Sequence, residues 1–480
     1  MAVALAHLKK RVFMDRRGFL KLCIAAGTLS VGAQRLFADD TAGATLTLTP
    51  GVPSTLIAPD FLGFSYETSL MTSPDFLSPT NSTLLALYSL LGKNGVIRIG
   101  GNSSEYGLWR PNGDITPVVK RHIITPDVIK RVAAFVHATG WQCIYGLNLG
   151  QGNPADSADE AAAVAAALGS SLIAFQIGNE PDLFNRGALR STTYGSADYL
   201  TEWKTFADAV KVRVPSAQFA GPDTASSMSW VDAIAAAYGS QLSFLSNHYY
   251  SEGPGSSPNS TIDKMMHTSV RLDNMLNRME SAAQSIGRPY RMTELNSVYG
   301  GGRRGVSDTQ AAAVWGLDLM MRVTLKNGLG VNFHGGAGGA YSPVQVTDGV
   351  AGPTPLFYAL LAFAQIGAGA IAPVSLKNAP TDLSGYAVKG NHGKLTFVVV
   401  NSNTAQPTSV TINSIRQYRN SYVWRLSAPS FDALNSTSFA GASITQNNTW
   451  ESVTKEGVLY QDADFSIVLP AASAAVIKLE

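Results

Sequence analysis

The chain has 480 residues, 45% of them hydrophobic and 15% charged, so it is a globular sequence and not a disordered one. That length exceeds one ordinary core and predicts a large domain joined to a smaller one. The formal charge of +2 comes from the N-terminus: beyond residue 38 there remain 29 basic against 33 acidic side chains, a net of −4. A mildly acidic body with no basic run argues against nucleic acid, and against a long sulfated polysaccharide, as partners.

Residues Met14–Ala38 read as a targeting peptide. Asp15-Arg16-Arg17-Gly18-Phe19-Leu20-Lys21 resembles a twin-arginine export motif, with the mildly apolar Leu22–Ala33 after it and Ala38 before a cleavage point. The expectation is a signal over residues 1–38 and a periplasmic or secreted bacterial protein. Met14 serves as a start as well as Met1 does, because residues 1–13 add nothing to the motif. The apolar run is too short to span a membrane, and no later segment approaches 18 consecutive apolar residues, so no stable membrane anchor is expected. Cys23 lies in the signal, which leaves Cys143 alone and predicts no intramolecular disulfide. That suits a protein folded in a reducing compartment before export.

Ala44–Leu56 alternates polar and apolar residues and reads as a strand. After about residue 60, eight short apolar runs follow: Phe61–Tyr66, Val96–Ile99, Gln142–Leu149, Leu172–Ile177, Gln218–Gly221, Leu242–Asn247, Tyr290–Thr293 and Gly330–Phe333. Helical stretches lie between them, among them Ser82–Leu91, Thr125–Thr139, Asp156–Leu168, Ala197–Val212, Thr261–Ile286 and Ser307–Lys326. Strand and helix alternating in this way predict a parallel sheet, and eight units predict a (β/α)₈ (TIM) barrel over residues 60–371. A doubly wound open sheet is the alternative, but no Gly-rich phosphate loop accompanies it. Residues 372–480 turn rich in Ser, Thr, Val and Asn, with short alternating runs such as Leu395–Val400, Ser409–Ile412 and Ser466–Leu469. They predict a C-terminal antiparallel β-sandwich, joined by residues 39–59.

Catalytic groups of such barrels come from the C-terminal ends of the strands. Those positions hold Glu67, Gly100-Gly101-Asn102, Asn148, Asn179-Glu180, Asp223, Asn247-His248-Tyr249-Tyr250, Glu294-Leu295-Asn296 and His334. The seven histidines form no H-E-x-x-H or other ligand pair, so neither a metal nor a cofactor is expected. Gly335–Ala340 half-matches a dinucleotide fingerprint but lacks the helix that should follow. Glu180 ends the fourth run and Glu294 the seventh. A glutamate after an apolar run suffers desolvation unless it faces a polar pocket. Two that converge at one barrel mouth can divide proton donation and nucleophilic attack. Each alone reads equally as a helix cap or an arginine partner.

Arg98-Ile99-Gly100-Gly101, Tyr145-Gly146-Leu147-Asn148, Gly178-Asn179-Glu180-Pro181, Gly221-Pro222-Asp223, His248-Tyr249-Tyr250, Tyr299-Gly300-Gly301-Gly302 and Gly336-Ala337-Gly338 are collinear over residues 61–341. With them the chain resembles glycoside hydrolase family 79, the heparanase-like β-glucuronidases. The resemblance implies a retaining exo-β-glucuronidase without cofactor or metal, acting on a terminal β-D-glucuronic acid of a glycoside or oligosaccharide. It implies Glu180 as acid/base and Glu294 as nucleophile. It also implies substrate contacts from Glu67, Asn102, Asn179 and Tyr250. Tyr299, Gly300, Gly301 and Gly302, with Gly338, Gly339 and Tyr341, would receive the uronate carboxylate through backbone N–H groups and a phenol. The bland reading of those glycines is turn formation, and of His248 and Tyr250, barrel-top packing.

The chain lacks the long insert after the first strand, and the basic clusters, of the polymer-cleaving relatives. Arg303 and Arg304 read as charge for a leaving-group subsite or as solvated side chains. The rival readings are an endo-β-glucuronidase on a polysaccharide, the same mechanism on another sugar, and a sugar-binding protein without catalysis. No G-x-S-x-G elbow supports a serine hydrolase.

Overall fold

The computed structural model describes residues 43–480 other than 53–54, 187–188, 268 and 337. The signal read over residues 1–38 and Ala337 of the Gly336-Ala337-Gly338 stretch therefore lie outside the described residues.

Eight parallel strands close into a barrel. They are β1 (Gly63–Glu67), β2 (Val96–Gly100), β3 (Gln142–Leu147), β4 (Leu172–Ile177), β5 (Phe219–Thr224), β6 (Leu242–Glu252), β7 (Tyr290–Val298) and β8 (Val331–Gly335). Each is followed by a helix: α1 (Ser82–Leu91), α2 (Pro126–Thr139), α3 (Pro154–Leu168), α4 (Ser196–Arg213), α5 (Met228–Tyr238), α6 (Ser269–Ser285), α7 (Gln310–Leu325) and α8 (Pro355–Ala364). Each of the eight apolar runs from Phe61–Tyr66 to Gly330–Phe333 corresponds to one of these strands. Helix starts follow from capping: Asn81, Thr125 and Asn153 accept backbone N–H groups at the heads of α1, α2 and α3. The predicted helix Thr261–Ile286 is broken, with a short turn of helix at Ile262–Met266 before α6.

The barrel interior is layered. Val96, Ile144, Ala174, Ala220 and Phe244 pack together as a small apolar cluster inside the staves. Their outward neighbours, among them Ile97, Cys143, Phe175 and Phe219, pack beneath the helices, and Cys143 is a buried free thiol. On the same inward rows the strands carry Ser65, Arg98, Gln176 and Ser246, all 1% exposed or less, so the interior turns polar. In β5 and β7 one extra residue each, Asp223 and Thr293, bulges out of register with β6. A bulge re-aims side chains. Here it lets Thr293 Oγ1 reach Asp223 Oδ1 at 2.5 Å while Glu294 also points inward.

The C-terminal strands form two sheets, a sandwich. Ala44–Leu48 sits between Val374–Lys377 and Thr408–Asn413 in the smaller sheet. Its pairing with Thr408–Asn413 is parallel, so this sheet is mixed and not purely antiparallel as predicted. Phe397, Val399, Ala475 and Ile477 of the larger sheet face the sandwich core with Leu46, Val410 and Ile412. Their alternating neighbours Val398, Val400, Ala474 and Val476 face the barrel's core instead. α8 lies in this second interface and is buried on nearly all sides. Arg322 of α7 joins the two parts: it bonds Asp318 at 2.6 Å, Asp273 at 2.8 Å and Ser384 at 3.1 Å. Tyr386 also donates to Asp318 at 2.7 Å.

No helix among the described residues is long and apolar enough to cross a membrane. We predict that Arg322→Ala costs about 1–3 kcal/mol in denaturant unfolding, because three charge-assisted bonds between α6, α7 and the sandwich are lost together. A loss below about 0.5 kcal/mol would show that this junction does not hold the two parts.

Candidate active site

The site grows from Arg98 on β2, a buried guanidinium 1% exposed. Its five N–H groups all have partners. Nε donates to Gln176 Oε1 at 3.1 Å, and Nη1 to Ser65 Oγ at 3.1 Å and Glu294 Oε2 at 2.7 Å. Nη2 donates to Asn179 Oδ1 at 2.8 Å and, closely, to Asp223 Oδ2. Five strands thus hang on one fork: β1, β2, β4, β5 and β7, with Asn179 just past the end of β4. Burying such a charge is tolerable only because every donor is satisfied and carboxylates face it.

His248 of β6 lies between the acids. Nδ1 is 2.9 Å from Glu180 Oε1 and 3.9 Å from Glu294 Oε2. Nε2 is 3.0 Å from Asp223 Oδ1, an ionic contact without the angle of a directed hydrogen bond. Burial opposes charge on this imidazole, yet Asp223 and Glu294 outweigh it and lift its pKa to about 10. Asp223 is held well below the usual carboxylate range: burial works against its charge, and Arg98 and His248 overcome that.

The two glutamates experience opposite surroundings. For Glu294, burial favours the neutral acid, but His334, His248 and Arg98 outweigh it and hold the carboxyl at about 2. Tyr250 adds a bond to Glu294 Oε1 at 2.8 Å. Glu180 is raised above its ordinary value, first by burial and further by Glu294 and Asp182, against the pull of His248. One oxygen of each glutamate and a His248 nitrogen all lie within 4.8 Å of one another. Three donor atoms so close are a conceivable cation nest, which sequence spacing did not suggest. A charged His248 and Arg98 at 2.7 Å from Glu294 make it a poor one.

Glu180 carries its carboxyl on a left-handed backbone, φ 49°, and Asp223 is left-handed too, φ 61°. The Glu180 N–H donates to the Asp223 carbonyl at 2.9 Å, so the two turns brace each other. Asp182 accepts from the N–H of Ala225 at 2.9 Å and of Ser227 at 3.3 Å.

The other predicted residues surround this centre. Glu67 at the end of β1 accepts from the Ser103 N–H at 2.8 Å and hydroxyl at 2.5 Å, and lies 3.6 Å from His334 Nε2. His334 Nδ1 is 3.6 Å from Glu294 Oε2, so it stands between two carboxylates. Asn179 Nδ2 bonds Asn102 Oδ1 at 3.2 Å. Tyr250 clusters with Tyr299 and Tyr341, ring centres 6.4 and 6.1 Å away. Gly300, Gly301 and Gly302 follow with φ of 78°, 90° and 80°, a run only glycine adopts without strain. The Ala340 N–H donates to the Gly301 carbonyl at 2.7 Å, which ties this loop to Gly338, Gly339 and Tyr341. Gly302 spends its own N–H on the Val298 carbonyl, so it is not free for an anion. Asn148 serves its loop, donating to the Gly107 carbonyl at 2.8 Å. Arg303 Nη1 donates to the Ser257 carbonyl, while Arg304 is 75% exposed.

Sequence reasoning gave no role to Arg98, Gln176 or Glu105. Arg98 did leave a signal: a charged residue inside the apolar run Val96–Ile99. We predict that the His248 imidazole does not titrate by NMR between pH 5 and 9, and that Asp223→Asn brings its midpoint into that window. Its folded pKa exceeds the ordinary 6.5, so the stability it lends is complete below 6.5 and fades as pH rises toward about 10. In Asp223→Asn that fading should move to lower pH; an unshifted His248 would refute the ionic pairing.

No family model matches the chain. The β-glucuronidase of Aspergillus niger is 25% identical over 398 residues, 71% of each chain. The β-glucuronidase of Neurospora crassa is 25% identical over 355 residues, 62% of each. Among solved structures, a 4-O-α-L-rhamnosyl-β-D-glucuronidase from Fusarium oxysporum superposes with TM-score 0.73 at 19% identity, over 91% of this chain and 100% of that one. An arabinofuranosidase from Xanthomonas axonopodis superposes with TM-score 0.69 at 16% identity, over 91% and 100%. The chain is therefore similar in sequence to two fungal β-glucuronidases and shares its fold with barrels that cleave glycosides.

Proposed function

We propose that the chain is a retaining, exo-acting β-glucuronidase of glycoside hydrolase family 79 that removes terminal β-D-glucuronic acid by double displacement. The observation that carries this is one pair of close carboxylates whose surroundings shift them in opposite directions. Glu294 is ionised, since its carboxyl is held at about 2, and Glu180 is pushed toward the neutral acid. Their oxygens approach within 4.8 Å. A retaining pair stands ~5–5.5 Å apart, whereas an inverting pair leaves ~6.5–9.5 Å for a water.

Glu294 attacks the anomeric carbon while Glu180 protonates the departing oxygen. The glycosyl–Glu294 ester then forms, and Glu180, now a base, takes a proton from the water that cleaves it. Arg98 and Tyr250 orient Glu294 through its two oxygens. Asn179, fixed on Arg98, faces the position of the sugar 2-hydroxyl; Glu67 and Asn102 face the other ring hydroxyls. The loop Tyr299–Gly301, with Gly338, Gly339 and Tyr341, takes the uronate. The likeness to the two fungal β-glucuronidases supports that sugar. The twin-arginine stretch adds export to the proposal.

The test is hydrolysis of p-nitrophenyl β-D-glucuronide beside the β-D-glucoside, with product anomers followed by NMR. Cleavage of the glucuronide with the β-anomer released first is expected. An α-anomer first would overturn retention, and a preferred glucoside would overturn the uronate assignment. Glu294→Gln should lower kcat at least about 10³-fold on every substrate. Glu180→Ala should spare activated aryl glucuronides and lose poor leaving groups; equal losses would undo the division of roles. Activity should fall on the alkaline side as Glu180 loses its proton, and should survive EDTA.

A further inference from the structure

Glu105 lies in the one-turn segment Asn102–Tyr106 after β2 and is 2% exposed. Oε1 accepts the Asn179 N–H at 2.6 Å and the Ser104 hydroxyl at 3.2 Å. Oε2 accepts the Gly150 N–H. Among the described residues it forms no ion pair. Arg190 feels its charge but spends its guanidinium on Glu202 and on the carbonyls of Leu149 and Gly150. A buried carboxylate without a cation is costly to keep. Burial raises it to about 7, against hydrogen bonds from the Asn179 and Gly150 N–H groups, the Ser104 hydroxyl and the Leu149 backbone.

The chemistry says why a carboxylate is kept there. Two backbone N–H groups, from the loops after β3 and β4, converge on two oxygens of one side chain. A glutamine offers one acceptor and turns an NH₂ donor toward the other N–H. The segment so held runs straight into Glu180, whose left-handed backbone needs its surroundings to persist. Successive N–H groups are therefore pinned on opposite sides: Asn179 by Glu105, Glu180 by the Asp223 carbonyl.

We propose that Glu105 is a positioning residue for the acid/base turn: through the Asn179 N–H it fixes where the Glu180 carboxyl stands, without touching substrate. This rests on the role proposed above for Glu180. It predicts a defect in leaving-group protonation and not in sugar recognition alone.

The experiment compares wild type, Glu105→Gln and Ser104→Ala on 2,4-dinitrophenyl and methyl β-D-glucuronide. The dinitrophenolate leaves without a proton; methoxide needs one. Glu105→Gln should lose at least about tenfold more kcat/KM on the methyl glucuronide than on the dinitrophenyl one. An equal loss on both, or none, would overturn the inference. Should Glu105→Gln not fold, Ser104→Ala decides: a smaller loss, selective for the methyl glucuronide, supports the inference, and an equal loss or no loss overturns it. A wild type inactive on both substrates would overturn the proposed function and this inference with it. An active wild type with an unchanged ratio in the variants overturns this inference alone.

Discussion

The structure depends on one buried cation. Arg98 spends five N–H bonds on Ser65, Gln176, Asn179, Asp223 and Glu294, and so sets the relative positions of strands that sequence keeps far apart. Arg98 and Glu294 are 196 residues apart along the chain. A barrel interior filled with aliphatic side chains would be cheaper to fold. Here the upper interior is polar, and the five bonds and two ion pairs of Arg98 offset the cost of burying its charge.

Charge balance follows from the same arrangement. Arg98 and a protonated His248 face Asp223 and Glu294, and His334 stands between Glu294 and Glu67. Each cation lowers the carboxyls it touches, and each carboxylate raises the histidines. Glu180 escapes this averaging because burial, reinforced by Glu294 and Asp182, outweighs the pull of His248. Environment alone thus shifts two chemically identical side chains in opposite directions.

Geometry at this precision needs local departures from regular structure. Bulges at Asp223 and Thr293 bring two extra polar residues inward, and left-handed backbone at Glu180 and Asp223 turns the chain sharply at the strand ends. Such departures persist where the surroundings over-determine them. Bonds from Glu105, Asp182 and the Asp223 carbonyl supply that constraint. Further out, the sandwich packs over α7 and α8.

The eight strand–helix units, the β-rich C-terminal part and the two glutamates after apolar runs were legible in the chain, because hydrophobic period and residue type are local properties. So was the glycine run after Tyr299, since only glycine tolerates three successive left-handed residues. Which polar groups would meet was not legible. The charge on His248, the five partners of Arg98 and the grip of Glu105 on Asn179 all arise only on barrel closure. Hydrogen-bond partners and pKa values depend on distances across the barrel, and no periodicity encodes a contact between residues that different strands bring together.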